Sequence, residues 1–287
     1  MTVVVTGATG HLGRLVVESL LTAGVPAGEI VAAGRRTERL ADLAGRGVRT
    51  AAIDLDEPGT LRAAFARADV VLLVSGSELG RRVEQHRNAI DAAVAEGVGR
   101  LVYTSAPHAD TTALILAPEH KATEEILRAS GLAFTILRNS WYTENYVGAL
   151  EQARVTGEVV ASVGAGRVAS ASRADFAAAA AAVLVGAGHD GAVYELSGDV
   201  AWDHHDLAAA IGEVVGRPVT YRAVDPAEHR AILVAAGLDE GTAGFVVALD
   251  GNIRDGLLAE TSGDLARLIG RPTTALVEGL RAAVTPR

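Results

Sequence analysis

The sequence contains no cysteine among its 287 residues. This absence excludes disulfide bonds, thiolate catalysis and cysteine-ligated metal sites, and it leaves the redox environment of the protein undetermined. Lysine is nearly absent as well, since Lys121 is the only lysine among 26 basic residues. A phosphate-binding loop of the Walker type, in which a lysine follows the glycines, is therefore excluded, and any reaction that needs a lysine must use Lys121.

Aromatic residues make up only 4% of the chain, and the longest apolar run, residues 176–185, is too short to span a bilayer. The formal net charge of −9 argues against nucleic acid or an anionic membrane as the main partner. No basic segment precedes the apolar residues 3–5, so we expect a cytoplasmic protein without a signal peptide. The many glycines and small apolar residues are typical of an α/β protein.

The N-terminal stretch joins a buried strand to a glycine-rich turn and a helix. Residues 3–5 are three valines, as in a strand buried on both faces of a parallel sheet. Three glycines follow at regular spacing, and apolar residues then recur at helical spacing. In a dinucleotide-binding turn such glycines permit a tight turn, a close approach of the backbone to the pyrophosphate, and close packing of helix on strand. The residues predicted to bind the cofactor here are Gly7, Ala8, Thr9, Gly10, His11, Leu12 and Gly13.

The end of the second predicted strand indicates which dinucleotide binds. Residues 29–34 form a short apolar strand that is followed by Arg35 and Arg36. This strand end lies beside the adenosine ribose in dinucleotide folds, where an acidic residue suits NAD and an arginine suits the 2′-phosphate of NADP. We therefore expect NADP, with Arg35 favoured over Arg36 as the phosphate ligand; two solvated arginines are the alternative. Asp54, after the third strand, is expected beside the adenine or, equally, in a turn.

Short apolar strands alternate with helical segments through most of the chain. The predicted strands are residues 3–5, 29–34, 48–53, 70–74, 100–105 and 133–138, with a further strand at 192–196. Short connections between alternating elements favour right-handed crossovers, so we expect an α/β fold with a Rossmann-type doubly wound parallel sheet. We assign residues 1–200 to an NADP-binding domain and 201–287 to a small α-rich cap. The cap is predicted to contain helices 206–215 and 227–236, a strand at 219–223 and two further helical stretches.

The segment that follows the sixth strand is unusually aromatic. Residues 139–146 hold one of the two tryptophans and two of the five tyrosines of the chain. Carboxyl ends of strands border the ligand pocket in such folds, so we interpret this segment as a wall of the nicotinamide and substrate pocket. An aromatic latch that packs a loop onto the sheet is the alternative. The small residues 75–77, after the fourth strand, would let the backbone pass close to the nicotinamide.

Two polar clusters are interpreted as helix caps rather than as sites. Residues 172–175 have the spacing of a capping box, with aspartate in place of the usual glutamate or glutamine. Asp203 begins an Asp-His-His-Asp run, whose residue types are those of metal sites. Adjacent residues on a helix point apart, however, so we expect Asp203 to cap a helix and predict no metal site.

With these residues placed, the sequence resembles the NmrA-like group of atypical short-chain dehydrogenases/reductases, and more narrowly the type 2 NADPH:quinone oxidoreductases. The glycine motif is shared by many reductases and epimerases, whereas the runs 138–146 and 78–81 are more specific. The resemblance spans nearly the whole chain. It implies that NADPH is bound by the glycine turn, Arg35, the end of the fourth strand and the segment after the sixth. The residues that these last two segments add to the cofactor site are Val74, Ser75, Gly76, Asn139, Ser140, Trp141, Tyr142, Thr143 and Glu144.

The sequence departs from the wider superfamily at its acid–base pair, Tyr-x-x-x-Lys. If Lys121 takes the lysine position, Ala117 takes the tyrosine position. If the downstream Glu124 sets the register instead, His120 takes the lysine position and Leu116 takes the tyrosine position. Neither register supplies a tyrosine, which argues against an alcohol dehydrogenase, an epimerase or a dehydratase, because each needs that pair.

The leading hypothesis is an enzyme that reduces quinones by direct hydride transfer from NADPH. Asn139, Tyr142 and Ser105 are the predicted catalytic residues: Asn139 and Tyr142 shape, with Trp141, a flat slot over the nicotinamide, and Ser105 and Tyr142 donate hydrogen bonds to the quinone oxygen. A non-catalytic NADP-binding redox sensor is the alternative, and a sugar-nucleotide epimerase or dehydratase is less favoured. The expected partner is a small quinone or similar electron acceptor, and the oligomeric state is left open, with a dimer as one option.

Overall fold

The computed structural model describes residues 1–78 and 80–285, so that Leu79, within the matching run 78–81, lies outside the described residues. The strands are β1 (Val3–Val5), β2 (Ile30–Gly34), β3 (Arg49–Ala52), β4 (Val70–Leu73), β5 (Arg100–Ser105), β6 (Ala133–Asn139), β7 (Glu158–Ala161), β8 (Val193–Leu196) and β9 (Thr220–Ala223). Seven of them form a sheet in the order β3-β2-β1-β4-β5-β6-β8, in which every neighbouring pair is parallel. The predicted parallel sheet is therefore confirmed, with strand bounds shifted by a residue at some ends.

Helices cover both faces of this sheet. They are α1 (His11–Thr22), α2 (Ala41–Gly45), α3 (Pro58–Phe65), α4 (Arg82–Ala95), α5 (Ala117–Ala129), α6 (Val147–Thr156), α7 (Arg173–Val185), α8 (His204–Val215), α9 (Pro226–Ala235), α10 (Glu240–Arg254), α11 (Asp264–Ile269) and α12 (Leu276–Val284). Short 3₁₀ turns occur at Ala27–Glu29, Thr37–Leu40 and Thr143–Tyr146. None of the helices in the described part of the chain has the length and apolar character needed to cross a membrane.

The alternation of side chains along the strands divides the core between the two faces. Val3 and Val5 lie in the core that contains α1 and α7, whereas Val4, between them, lies in the core that contains α3, α4 and α5. All three valines are fully buried. Complete burial of such a side chain stabilises a fold by about 1.5–3 kcal/mol. The run of valines therefore fixes β1 at the centre of the sheet, between β2 and β4.

A second, smaller core surrounds a parallel pair formed by β7 and β9. It contains side chains from α6, α8, α10 and α12 together with Trp202. The prediction was incomplete here in three respects: α6 and β7 were not foreseen, and three helices rather than two follow α9 in the described residues. Residues 147–161 pack with the C-terminal elements, whereas α11 packs on α7 and β8 of the main sheet. The chain thus crosses between the two cores more than once, and the single boundary at residue 200 stays a prediction.

Both polar clusters that were interpreted as caps do begin helices. Asp203 accepts the backbone N–H groups of His205 and Asp206 at 2.8 and 3.0 Å, and the Asp206 carboxylate accepts the N–H of Asp203 in return. Ser172 caps α7 by accepting the N–H of Asp175 at 3.1 Å. The Asp175 carboxylate, which is fully buried, goes on to bind Arg271 at 2.6 Å and so ties the C-terminal part of the chain to α7.

Candidate active site

A cavity of about 640 Å³ opens at the carboxyl ends of the parallel strands. It spans the point between β1 and β4 at which the strand order reverses, which is where open α/β sheets bind their ligands. One end of the cavity is bordered by the glycine turn after β1 and by Arg35. The other end is bordered by apolar side chains from α10 and from the loops around it. The cavity thus has a polar end and an apolar end.

The glycine turn has the geometry that a pyrophosphate requires. Gly7 has φ +62°, in the left-handed region that favours glycine. A Cβ atom on Gly13 would lie 2.4 Å from the Gly7 carbonyl oxygen, so α1 packs this closely on the turn only because Gly13 has no side chain. Gly10 is the N-cap of α1, with no side-chain cap and no acidic residue in the first turn. The N–H groups at the start of α1 are therefore free to bind an anion.

Six of the seven predicted residues of this turn line the cavity, namely Gly7, Thr9, Gly10, His11, Leu12 and Gly13. Ala8 does not line the cavity, and its contact with the cofactor stays a prediction. Its backbone N–H donates to the Ala33 carbonyl at 2.9 Å, and this bond holds the fully buried Ala8 against β2. The contribution of Ala8 is to anchor the turn.

The two arginines after β2 take different positions. Arg35 lines the cavity, and Arg36 does not. The Nη1 atom of Arg35 lies 2.9 Å from Oε1 of Glu78, and the other carboxylate oxygen of Glu78 accepts a hydrogen bond from Gln85 at 3.1 Å. Glu78 therefore neutralises Arg35 at the place where a 2′-phosphate is expected. This geometry supports the preference for Arg35 over Arg36.

The ends of β3 and β4 also border the cavity. Asp54 lines it, and its carboxylate accepts the backbone N–H of Asp56 at 3.0 Å, which confirms the turn; its place beside the adenine stays a prediction. Val74, Ser75 and Gly76 line the cavity after β4. The N–H groups of Val74 and Ser75 donate to threonine hydroxyls of neighbouring strands at 3.0 and 2.9 Å, which fixes the path of this backbone.

Residues 139–142 line the cavity as predicted. Their side chains also pack against the protein, as the alternative interpretation of this segment expects. The Nδ2 atom of Asn139 donates to the Tyr142 hydroxyl at 3.3 Å, which leaves the proton of that hydroxyl for another acceptor. The guanidinium of Arg173 lies 4.8 Å from the centre of the Tyr142 ring, and Phe176 contacts the ring edge-on at 5.2 Å. Burial raises the pKa of Tyr142, so this residue stays protonated and can donate.

Thr143 and Glu144, also predicted to bind the cofactor, do not line the cavity. The Thr143 hydroxyl is buried against the Ser170 hydroxyl at 2.9 Å, and the Glu144 carboxylate accepts the backbone N–H of Arg173 at 2.9 Å, at the start of α7. The 3₁₀ turn that begins at Thr143 directs these two side chains toward the protein. Asn145, which belongs to the predicted pocket wall 139–146 but not to the predicted cofactor ligands, lines the cavity, as does Arg173, which the sequence analysis missed. Arg173 belongs to the run that was interpreted only as a helix cap.

Ser105 lines the cavity, but its hydroxyl faces a carboxylate. The Oγ atom of Ser105 donates to Oε1 of Glu124 at 2.6 Å, and Glu124 also accepts two hydrogen bonds from Arg138 at 2.6 and 2.9 Å. All three residues are buried. The proton of Ser105 is thus bound within this cluster, and the geometry does not favour the predicted role of Ser105 as a donor to substrate.

The structure places the residues of both possible alignments with the Tyr-x-x-x-Lys pair, the one set by Lys121 and the one set by Glu124. Leu116 and His120 line the cavity. Ala117 is buried elsewhere, and Lys121 is exposed to solvent. The cavity lining therefore favours the register set by Glu124, in which Leu116 and His120 take the two positions. The one lysine of the chain lies outside the cavity.

Behind this position lies a buried polar cluster that the sequence did not reveal. Nδ1 of His120 lies 2.7 Å from the Tyr103 hydroxyl. Nε2 of His86 accepts the backbone N–H of Gly76, and Nδ1 of His86 lies 3.0 Å from the Thr123 hydroxyl oxygen. Burial lowers the pKa of both imidazoles to about 3, and the nearby positive charge of Arg82 adds to this effect. Both histidines are therefore neutral at physiological pH.

The apolar end of the cavity was also missed. It is formed by Phe245 and Leu249 of α10, one turn apart, together with Leu258. The sequence contained one indication, since a chain poor in aromatic residues has Phe245 four positions before Leu249 on a helix. Its place in the fold could not be inferred, because α10 is held beside the end of β7, which was not predicted: the Asp250 carboxylate of α10 accepts the N–H of Ser162 at 2.6 Å.

Comparison with known proteins agrees with this geometry. Residues 7–185 match the model of a family described as NAD(P)H-binding. The chain is 44% identical to quinone oxidoreductase 2 of Escherichia coli over 97% of each protein. Among solved structures, the E. coli NADPH-dependent quinone oxidoreductase complexed with NADPH superposes with a TM-score of 0.94 at 43% identity, covering 99% of this chain and all of that one. The Citrobacter triphenylmethane reductase complexed with NADP(H) gives 0.93 at 36% identity, covering 99% of this chain and all of that one.

Proposed function

The chain belongs to the NAD(P)H-binding family, in the group that includes E. coli quinone oxidoreductase 2, and on this premise we propose that it is an NADPH-dependent enzyme that reduces quinones by direct hydride transfer. One observation supports this proposal above the others. The cavity joins a polar end suited to a dinucleotide with an apolar end suited to a flat second molecule. A protein that only bound the dinucleotide would not need the second end.

The residues of the polar end divide the binding of NADPH among them. The glycine turn and the start of α1 bind the pyrophosphate, because they offer backbone N–H groups at a helix N-terminus. Arg35 binds the 2′-phosphate, which replaces the Glu78 carboxylate as the partner of the guanidinium. The backbone from Val74 to Gly76 and the side chain of Asn139 border the nicotinamide. NADPH bound in this way supplies the hydride.

The apolar end holds the acceptor. Trp141, Phe245 and Leu249 give it a flat apolar wall, and the Tyr142 hydroxyl can donate to an oxygen of the acceptor. Reduction of a quinone produces an anion whose charge is delocalised over the ring, so the product can take its proton from water after transfer. Proximity and orientation then provide most of the acceleration, which can amount to about 7–11 kcal/mol at best.

A spectrophotometric assay separates this function from a redox sensor. The protein is mixed with NADPH and 1,4-benzoquinone, and the loss of absorbance at the nicotinamide band is followed against a reaction without protein. A quinone reductase oxidises NADPH over many turnovers. A sensor binds NADPH, as measured by nicotinamide fluorescence, but oxidises it no faster than the blank, and this result would refute the proposed activity.

The partners, the oligomeric state and the cellular location of the protein are predictions. We propose that nucleic acid is not a partner, because the net charge is −9 and polyanions would be repelled. A dimeric state and a cytoplasmic location stay predictions, which light scattering and cell fractionation can test.

A further inference from the structure

His120 has one side in the cavity and the other in the buried cluster behind it. Its Nδ1 atom lies 2.7 Å from the Tyr103 hydroxyl, which is fully buried. The residue as a whole is 6% exposed, and it lines the cavity from the first turn of α5. No hydrogen bond to its Nε2 atom is formed by the residues that the structure describes. A polar atom in this position is available to a molecule in the cavity.

The surrounding hydrogen bonds determine which nitrogen of His120 carries the proton. His86 accepts the Gly76 N–H at Nε2, so its own proton is on Nδ1 and is donated to the Thr123 hydroxyl. Thr123 in turn donates to the carbonyl of Glu119 at 2.9 Å. Nδ1 of His120, at 2.7 Å, is the acceptor that the structure places against the Tyr103 hydroxyl, and we assign the Tyr103 proton to this hydrogen bond, since a buried hydroxyl proton without an acceptor is unfavourable. This arrangement leaves the proton of His120 on Nε2, directed to the cavity.

On the basis of the quinone reduction proposed above, we propose that His120 is a catalytic residue whose Nε2–H donates a hydrogen bond to the acceptor oxygen that becomes negative as the hydride arrives. One oxygen of the quinone receives the hydride, so that a new O–H bond forms with the electron pair of the C–H bond that breaks in the reduced nicotinamide. The negative charge then appears on the opposite oxygen of the quinone, where the hydrogen bond from His120 stabilises it. The N–H bond does not break, and water protonates the hydroquinone anion afterwards. Tyr103 is a positioning residue, because it fixes the tautomer of His120.

The charges around His120 agree with a neutral donor. Arg82 donates to the Gly76 carbonyl at 2.7 Å and forms an ion pair with Glu119 at 2.9 Å. Burial and this guanidinium lower the pKa of His120 to about 3, so an imidazolium is not formed at neutral pH. A pre-oriented N–H group stabilises a developing oxyanion without reorganisation during the reaction.

Three substitutions at one position separate catalysis from packing. The amide of glutamine reaches the position of Nε2, whereas the amide of asparagine reaches only that of Nδ1. We expect His120→Gln to retain hydride transfer within a few-fold, and His120→Asn and His120→Leu to lower its rate about 10- to 100-fold. The rate is measured in single turnovers by stopped flow with NADPH and 1,4-benzoquinone. Lys121→Gln, at the next residue on the exposed side of α5, is the matched control and should leave the rate unchanged.

The outcomes distinguish the alternatives. A structural role through the Tyr103 hydrogen bond predicts the opposite order, with the asparagine variant active and the glutamine variant impaired, and this order would overturn the proposal. An unchanged rate in His120→Leu would overturn it as well. A native protein that binds NADPH but reduces no quinone refutes the proposed function itself. The NADPH dissociation constant and the circular-dichroism spectrum establish that each variant is folded.

A measurement on the native protein keeps the proposal testable if the variants do not fold. Nitrogen-15 NMR of histidine-labelled protein reports the tautomer of each imidazole. We expect a neutral Nε2–H form of His120 at pH 7, whose Nε2 resonance shifts when hydroquinone is added to the complex with NADP⁺. The Tyr103→Phe variant should lose the fixed tautomer and show a mixture of both forms. An Nδ1–H form in the native protein would refute the assignment.

Discussion

Replacing Arg35 by alanine tests the cofactor assignment most directly. Arg35 is paired with Glu78 at 2.9 Å, and the two side chains are 66% and 36% exposed. An ion pair this exposed contributes at most about 1 kcal/mol, so exchanging Glu78 for a phosphate costs little. A charge-assisted hydrogen bond to the 2′-phosphate contributes about 1.5–3 kcal/mol. We therefore expect the native protein to prefer NADPH over NADH roughly ten- to hundred-fold, and Arg35→Ala to lose most of that preference.

The dissociation constants of both cofactors are measured by fluorescence titration for the native protein and for each variant. Arg36→Ala is the matched control, because it removes the same charge at the next residue, outside the cavity lining. NADH binding should change little in Arg35→Ala. Glu78→Gln removes the competing carboxylate and should tighten NADPH but not NADH. Equal affinity of the native protein for both cofactors, or an equal loss in the two arginine variants, would refute the reasoning.

The remaining predictions concern the turn, the acceptor site and stability. Gly10→Val should abolish NADPH binding with an unchanged circular-dichroism spectrum, because its side chain would stand between the backbone and the pyrophosphate; full affinity would show that the nucleotide lies elsewhere. Tyr142→Phe and Ser105→Ala should lower kcat only modestly, and Lys121→Ala hardly at all, whereas a loss of about a thousand-fold in any of them would reveal an obligatory acid. Burial holds the pKa of His86 near 3, so below pH 6.5 the unfolded chain binds a proton that the folded protein does not. Stability should therefore fall by about 2 kcal/mol for this residue between pH 7 and pH 5, and urea unfolding that gives equal stability at both pH values would contradict this account.

The main sheet could be predicted from the sequence because most of its strands are short runs rich in apolar residues and helical segments separate them. The run Val3–Val5 has no polar position, as expected of a strand buried on both faces. In the second sheet the strand β9 was predicted, at 219–223, but β7 was missed, and nothing in the sequence indicated that the two strands pair. β9 has two exposed ends and a half-buried Tyr221, and it is stabilised by its pairing with β7, about 60 residues earlier in the chain. Pairing over such a separation leaves no trace in local periodicity.

The parts of the candidate site that depend on the path of the backbone could be predicted from the sequence. The parts that depend on the direction of individual side chains could be predicted less well. The glycine turn and Arg35 follow from their positions at strand ends, and both border the cavity. In the segment after β6, the 3₁₀ turn directs Thr143 and Glu144 away from the cavity, and their role in cofactor binding stays a prediction. Arg173 reaches the cavity from another element, and its charge was hidden in a helix-cap pattern.

Leu116 and His120, at the start of α5, restrict the reactions that this site can support. An alcohol formed from a ketone passes through an alkoxide that is strongly basic, so its formation needs an acid whose proton moves during the reaction. A quinone gives a phenolate instead, whose pKa is near 10, as for tyrosine. Here Leu116 supplies no proton, and His120, neutral and bonded to Tyr103, offers a hydrogen bond but no readily lost proton. Such a site can stabilise a phenolate but not an alkoxide, so it suits acceptors that need no proton while the hydride is transferred.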